Sequence, residues 1–334
     1  MVKVGIIGYG YWGPNLVRNF SAVNDCTVAA VSDFRKERLA LVSKAYPSVK
    51  TTSDPDEILL SKDVDAVVIA TPVFAHFPLA KKALENGKHV LLEKPMTSTV
   101  KEAEELMGIA KQKGLLIMVD HTFLYTGAVR KIKTLVDDGT IGEMQYFDSS
   151  RINLGLFQPD VNVLWDLAPH DISILLYLIS KKPTSVNATG VSHTKNGIEN
   201  VAYLTVNFKE DLIAHFSCSW TSPVKLRTLL IGGDKKMLMF NDLEPTEKIK
   251  IYDTGYNHKT DEEKQRVLVD YRTGDIFIPK VEMKEALYAM ADDFVSCIIN
   301  KKEPVSNATI GLEVIKILEA SQHSIKNNGK EVVL

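Results

Sequence analysis

Over the first 120 residues, short apolar runs alternate with longer stretches in which apolar residues recur three or four positions apart. The runs are VKVGIIG (2–8), TVAAVSD (27–33), AVVIAT (66–71), HVLLEK (89–94) and LLIMVD (115–120). The stretches between them, NLVRNFSAV, RKERLALVSKAY, FPLAKKALENG and TVKEAEELMGIAKQKG, carry the helical period, and the last two end at a glycine suited to a helix terminus. Strands alternating with helices predict a doubly wound parallel α/β sheet. Beyond about residue 140 the period changes. In IAHFSCSW, Ala214, Phe216, Cys218 and Trp220 fall on one side and His215, Ser217 and Ser219 on the other. NVAYLTVNF, LRTLLIGG and KKMLMFN follow similar lines, which predicts a large, mostly antiparallel open sheet with one covered face. Helical patterns close the chain at EMKEALYAMADDFVSCIIN and GLEVIKILEASQHSIKN, and the polar stretch from Asp253 to Thr273 reads as a long loop or excursion.

The pattern therefore divides the chain into a parallel α/β domain over 1–122 and an α+β domain over 123–334, with the C-terminal helix expected back toward the first. A length of 334 residues suffices for two cores, and 45% hydrophobic with 25% charged residues excludes a disordered or fibrous chain. Forty basic residues against forty-two acidic leave a formal charge of -2, so no global field favours nucleic acid or an anionic membrane. Cys26, Cys218 and Cys297 lack the spacing of a zinc or redox site and read as reduced structural thiols, and no metal is expected. With no run near the ~18 apolar residues that span a bilayer and no leader-like start, the expected location is cytoplasmic.

One motif adds chemistry. Gly8-x-Gly10-x-x-Gly13 follows the first predicted strand and opens the first predicted helix, and Asp33 ends the next strand. In that context the spacing is a dinucleotide fingerprint and the first domain a Rossmann domain. Gly8 permits the turn, Gly10 admits the pyrophosphate, Gly13 lets the helix pack, and helix amides hold the phosphates. Tyr11 and Trp12 lie inside the loop; Trp12 is either a lid over the cofactor or a packing residue. Asp33 is suited to ribose hydroxyls and disfavours a 2′-phosphate, which points to NAD ahead of NADP, an inference softened by Arg35 and Arg38.

Two further clusters stand out. HVLLEK ends in Glu93 and Lys94 before Pro95, at the edge of the sheet where ligands bind in open α/β folds. Lys94 is either a surface lysine paired with Glu93 or a proton shuttle. LWDLAPHDISILLYL puts Asp166 just before an expected helix start, with Pro169 in the first turn, His170 after it and Asp171 as a first-turn charge. A histidine there is neutral and able to take a proton, with Asp166 to orient it or bind a hydroxyl. The other reading is capping and packing.

The runs GIIGYGYWGPNL, AVVIATPVFAHFPLAKKALENGKHVLLEKP and LWDLAPHD resemble the glucose-fructose oxidoreductase / inositol dehydrogenase (Gfo/Idh/MocA) family over essentially the whole chain. The resemblance implies an NAD-dependent dehydrogenase that oxidises a secondary alcohol of a sugar to a ketone. It places Lys94 and His170 at the substrate hydroxyl with Asp166 as neighbour, and Thr71, His76 and Glu93 along the cofactor. Arg151 and Asn153 are candidate substrate contacts, Arg151 equally a strand-edge charge. Pro169 stands where many relatives have glycine, and Tyr125 near where some have arginine. GYWGPN with LWDLAPHD looks most like branches acting on nucleotide-linked sugars, such as UDP-N-acetylglucosamine-type 3-dehydrogenases. Inositol or a free aldose is the alternative substrate, and a non-catalytic NAD-binding regulator the alternative of another class. A homodimer or homotetramer is expected.

Overall fold

The computed structural model describes residues 1–155, 157–209, 211–257 and 270–334. They form two compact units, Met1–Thr126 with Lys284–Glu319, and Gly127–Met283 with Ala320–Leu334.

The first unit is built from β1 (Val2–Ile7), α1 (Gly13–Ala22), β2 (Cys26–Ser32), α2 (Lys36–Ala45), β3 (Lys50–Thr52), α3 (Asp56–Leu59), β4 (Ala66–Ile69), α4 (His76–Glu85), β5 (His89–Glu93), α5 (Val100–Lys113) and β6 (Ile117–Asp120). Its six strands run in the order β3-β2-β1-β4-β5-β6, all parallel, so their carboxyl ends share one edge. β4 and β6 are buried throughout and β5 in all but its first residue, as strands covered on both faces must be. Local signals set the helix ends: Thr99 and Glu102 form a reciprocal capping box at the start of α5, and Gly114 closes it at φ +63°. Two short elements, β3 and α3, escape the pattern, because three or four residues carry no readable period. The later helix Ala286–Asn300 packs here, Phe294 meeting Phe20 edge-on at 6.1 Å between ring centres. Tyr125 is buried and donates to Asp293 Oδ2 at 2.6 Å while accepting the Ser306 amide at 3.2 Å, which makes it a strut of this unit.

The second unit holds α6 (Gly127–Asp137), β7 (Met144–Ile152), α7 (Val163–Leu178), β8 (Pro183–Val191), β9 (Val201–Phe208), β10 (Ile213–Ser219), β11 (Leu226–Gly233), β12 (Met237–Asn241), β13 (Ile249–Tyr252), β14 (Gly255–Asn257), β15 (Asp270–Arg272) and β16 (Ile276–Phe277). After them come α8 (Ala286–Asn300), grouped with the first unit, α9 (Ala308–Lys326), divided between both, and β17 (Val332–Val333). The nine-stranded order is β16-β13-β12-β11-β7-β10-β9-β8-β17, antiparallel except where β10 runs parallel to β7. Ala202, Leu204, Ala214, Phe216, Phe147, Leu229 and Ile231 fill the covered face, which α7 packs against. Tyr203, Ile213 and Leu230 are exposed on the other. Between Asp253 and Thr273, β14 and β15 pair with each other, and the remaining part, 258–269, lies outside the described residues.

One expectation needs correcting. α7 begins at Val163, where the Asn162 side chain accepts the Trp165 amide at 3.2 Å, and not at Pro169. Asn162 is a good N-cap residue, whereas Pro169 is the seventh residue inside the helix and leaves one intrahelical bond unmade. His170 and Asp171 therefore lie two turns from the helix start, beyond the reach of its positive end.

Candidate active site

The turn from β1 into α1 leaves no room for a side chain at Gly8 or Gly13. Gly8 has φ +101°, and a Cβ there would come within 2.4 Å of the Ala70 carbonyl oxygen; one on Gly13 would meet the Gly8 oxygen at 2.7 Å. At Gly10 the space is open, the nearest neighbour being the Arg35 guanidinium at 3.8 Å. With Pro14 in its first turn and no acidic residue there, the α1 N-terminus presents amides to any anion in that space. Tyr11 and Trp12 are exposed beside the turn and meet edge-on at 5.3 Å.

Asp33, just past β2, is buried and fully engaged. Oδ2 accepts the Tyr9 amide at 2.8 Å and Arg35 Nη2 at 3.0 Å; Oδ1 accepts the Arg35 amide at 2.9 Å and its Nε at 3.0 Å. Burial raises the carboxyl, but these four donors outweigh it and hold Asp33 below its ordinary value. A carboxylate has about four acceptor positions, so a ribose hydroxyl here takes the place of an Arg35 N–H. The open glycine turn, the amide-presenting helix end and the buried acid together fit a dinucleotide.

On the same edge, β5 delivers Glu93 and Lys94. The Lys94–Pro95 peptide is cis, and the Lys94 amide donates to Glu93 Oε2 at 3.1 Å. His76, at the start of α4, is buried with Nδ1 3.0 Å from the Pro95 oxygen and Nε2 2.8 Å from the Thr71 oxygen. Its ring thus ties the loop after β5 to the loop after β4. Burial lowers the imidazole's pKa against the pull of those carbonyls. The Thr71 hydroxyl is buried without a protein partner.

Beneath this loop lies a group that the sequence pattern missed. Glu93 pairs in register with Asp120 at the end of β6, and both side chains are buried. Thr122 donates to Asp120 Oδ1. Burial raises both carboxyls, Glu93 well above its ordinary range because the charge of Asp120 adds to the effect. His121 is wholly buried with neither ring nitrogen partnered, and burial, reinforced by Lys94, lowers it to about 3. The signal was present in IMVDH: a charged residue ending an apolar strand directly beside another strand that does the same.

In the second unit, Asp166 and His170 are one turn apart on α7 and so share a face. Asp166 Oδ2 accepts the Trp220 indole N–H at 3.0 Å, and Ser173 Oγ donates to the His170 carbonyl at 2.7 Å. Trp220 lies 5.5 Å from Phe157 between ring centres, and a Cβ on Gly155 would sit 3.1 Å from both Trp220 and the Asn153 amide. Asp166, Asn153 and Trp220 therefore form one neighbourhood. Arg151 points instead to the covered face of the sheet. Its Nε and Nη2 meet Asp171 at 2.8 and 2.6 Å, and Ser149 Oγ adds a bond at 2.7 Å. Asp171 is thus the buried partner of Arg151, contrary to the expectation of a first-turn charge, and neither reading of Arg151 from sequence anticipated that partner.

Residues 2–121 match the model of an oxidoreductase family with an NAD-binding Rossmann fold, GFO/IDH/MocA, and residues 129–239 match the C-terminal domain model of the same family. The uncharacterized oxidoreductase YdgJ of Escherichia coli is 35% identical over 53% of this chain and 54% of its own length. UDP-N-acetylglucosamine 3-dehydrogenase of Acidithiobacillus ferrooxidans is 31% identical over 62% of this chain and 64% of its own. The matched stretch thus spans between half and two thirds of these relatives. A solved structure of the A. ferrooxidans enzyme GnnA superposes with a TM-score of 0.79 at 24% identity, covering 97% of this chain and 98% of that one, which bears on the fold. No helix among the described residues is long and apolar enough to cross a membrane. With both family models matched in order, the chain belongs to the GFO/IDH/MocA oxidoreductase family.

Proposed function

We propose that the protein oxidises a secondary alcohol of a sugar to a ketone with NAD, and that the sugar is nucleotide-linked, of the UDP-N-acetylglucosamine type. The observation that carries the reading is the position of Lys94. It stands at the carboxyl end of β5, on the edge shared by the glycine turn and Asp33, in a loop held by His76 and underlain by Glu93 and Asp120. A binding module has no need of a lysine held this way. The likeness to a UDP-N-acetylglucosamine 3-dehydrogenase supports the nucleotide-sugar class.

The backbone of Gly8 to Gly13 and the α1 amides would hold the pyrophosphate and Asp33 the ribose, while Thr71 and Glu93 would be left for the rest of the cofactor. The bound cofactor supplies the hydride acceptor. Lys94 Nζ takes the hydroxyl proton as the carbinol C–H electrons leave, and its charge then steadies the oxygen. In the second unit, Asp166, Asn153 and His170 are the groups suited to receive substrate hydroxyls. Arg151 serves by locking Asp171, and with it the His170 turn of α7, onto the sheet. The exposed Tyr203, Ile213 and Leu230 support self-association through the outer sheet face.

The test follows nicotinamide absorbance with NAD and UDP-N-acetylglucosamine, its uronate, inositol and glucose, with a carbonyl trap present. Reduction with a UDP-sugar alone supports the assignment. Turnover of inositol or glucose alone replaces the substrate class. Tight NAD binding without turnover of any sugar favours the regulator.

A further inference from the structure

The ends of β5 and β6 bury more ionisable groups than proton transfer at one lysine requires. Glu93 and Asp120 are in-register partners on adjacent parallel strands, both almost fully buried, with their carboxyl groups within hydrogen-bonding reach. Their donors can be counted. Thr122 serves Asp120 Oδ1 and the Lys94 amide serves Glu93 Oε2, while Asp120 Oδ2 has no protein donor. Two ionised carboxylates only accept, so in contact they repel and strand an oxygen; a single proton between them removes both penalties. The ionisable groups facing the pair are Lys94 after β5 and His121 after β6. His121 is buried and neutral, which leaves Lys94 as the group whose charge the pair meets once the amine has taken up a proton.

We propose that Glu93 and Asp120 share one proton, carried by Glu93 and donated to Asp120, so that the pair presents one fixed negative charge to Lys94 and acts as its positioning partner. The inference rests on the reading of Lys94 as the proton acceptor. The pair keeps its proton through the reaction: the substrate O–H proton passes to Lys94 Nζ, the bound cofactor would supply the hydride acceptor, and the lysine is left as an ammonium held by the single charge beside it. A neutral pair would not hold that ammonium.

Two substitutions at one position separate the possibilities. In Asp120→Asn, the amide N–H serves an ionised Glu93 and the single charge survives. In Asp120→Leu, Glu93 loses its partner and stays protonated, so the charge disappears. Infrared spectroscopy at neutral pH should show the carbonyl stretch of a protonated, buried carboxyl in the wild type, its loss in Asp120→Asn and its return in Asp120→Leu. In turnover, Asp120→Asn should exceed Asp120→Leu in kcat by about tenfold or more at equal NAD affinity, a ratio that reports charge and not packing. Absence of the wild-type band, its persistence in Asp120→Asn, or equal kcat in the two variants would overturn the proposal. If no sugar is oxidised, the assigned reaction fails separately, and the infrared result still decides the shared proton.

Discussion

Two buried pairs of charged residues, one in each unit, follow opposite rules. Arg151 and Asp171 are of opposite sign, with two bonds between them and Ser149 completing the set. Glu93 and Asp120 are of like sign, and one oxygen is left without a donor. The first pair is satisfied as it stands and braces a helix on a sheet. The second is tolerable only with a proton held between its members, and it lies beside the lysine assigned to chemistry. Buried like charges are costly and add no stability, so their presence is a better pointer to function than a buried ion pair.

The contrast can be broken experimentally, and the largest effect should come from the ion pair. Arg151→Ala leaves Asp171 charged and buried without its cation, with the Ser149 hydroxyl still donating to it, and is expected to cost about 3–5 kcal/mol in urea denaturation. Arg151→Met combined with Asp171→Leu should recover most of that loss, because neither desolvated charge remains. A double variant as unstable as the single would mean that the pair itself stabilises the fold.

An intermediate effect is expected at His121. Its folded value, lowered to about 3, lies below the ordinary ~6.5, so the unfolded chain binds the extra proton between those limits. The contribution is therefore complete above about pH 6.5 and is lost progressively as the pH falls toward 3. Between pH 7 and 4.5, the wild type should lose roughly 2–3 kcal/mol more than His121→Phe. Parallel losses in the two proteins would show that the imidazole is not held neutral.

The smallest effect should be at the like-charged pair. Asp120→Asn keeps a hydrogen bond and removes no net charge, and should change stability at neutral pH by about 1 kcal/mol or less. A loss as large as that of Arg151→Ala would erase the difference between the two regions.

Much of the first unit was legible because its signals are local. Strand, glycine turn, helix and Asp33 follow one another within 33 residues, and the capping and glycine signals of α5 sit at its own ends. In the second unit, strict alternation in β10 picked out Ala214, Phe216 and Cys218 as covered and left His215 and Ser217 half-buried opposite them, while Ser219, assigned to the other side, is buried as well. What stayed hidden depends on partners distant in sequence. Asp120 read as the end of a strand until β5 was laid beside β6. Arg151 had two readings until Asp171, twenty positions on, was seen to meet it. The start of α7 was misplaced because proline was read as a helix opener while Asn162, seven residues earlier, supplied the cap.

The central claim is that Lys94 moves the substrate proton. The most direct test measures kcat on the sugar the wild type oxidises, together with NAD affinity by calorimetry, for wild type and Lys94→Ala. A fall in kcat of about 10²–10⁴-fold with NAD affinity within about twofold is the predicted result. Wild-type kcat in Lys94→Ala would contradict the account.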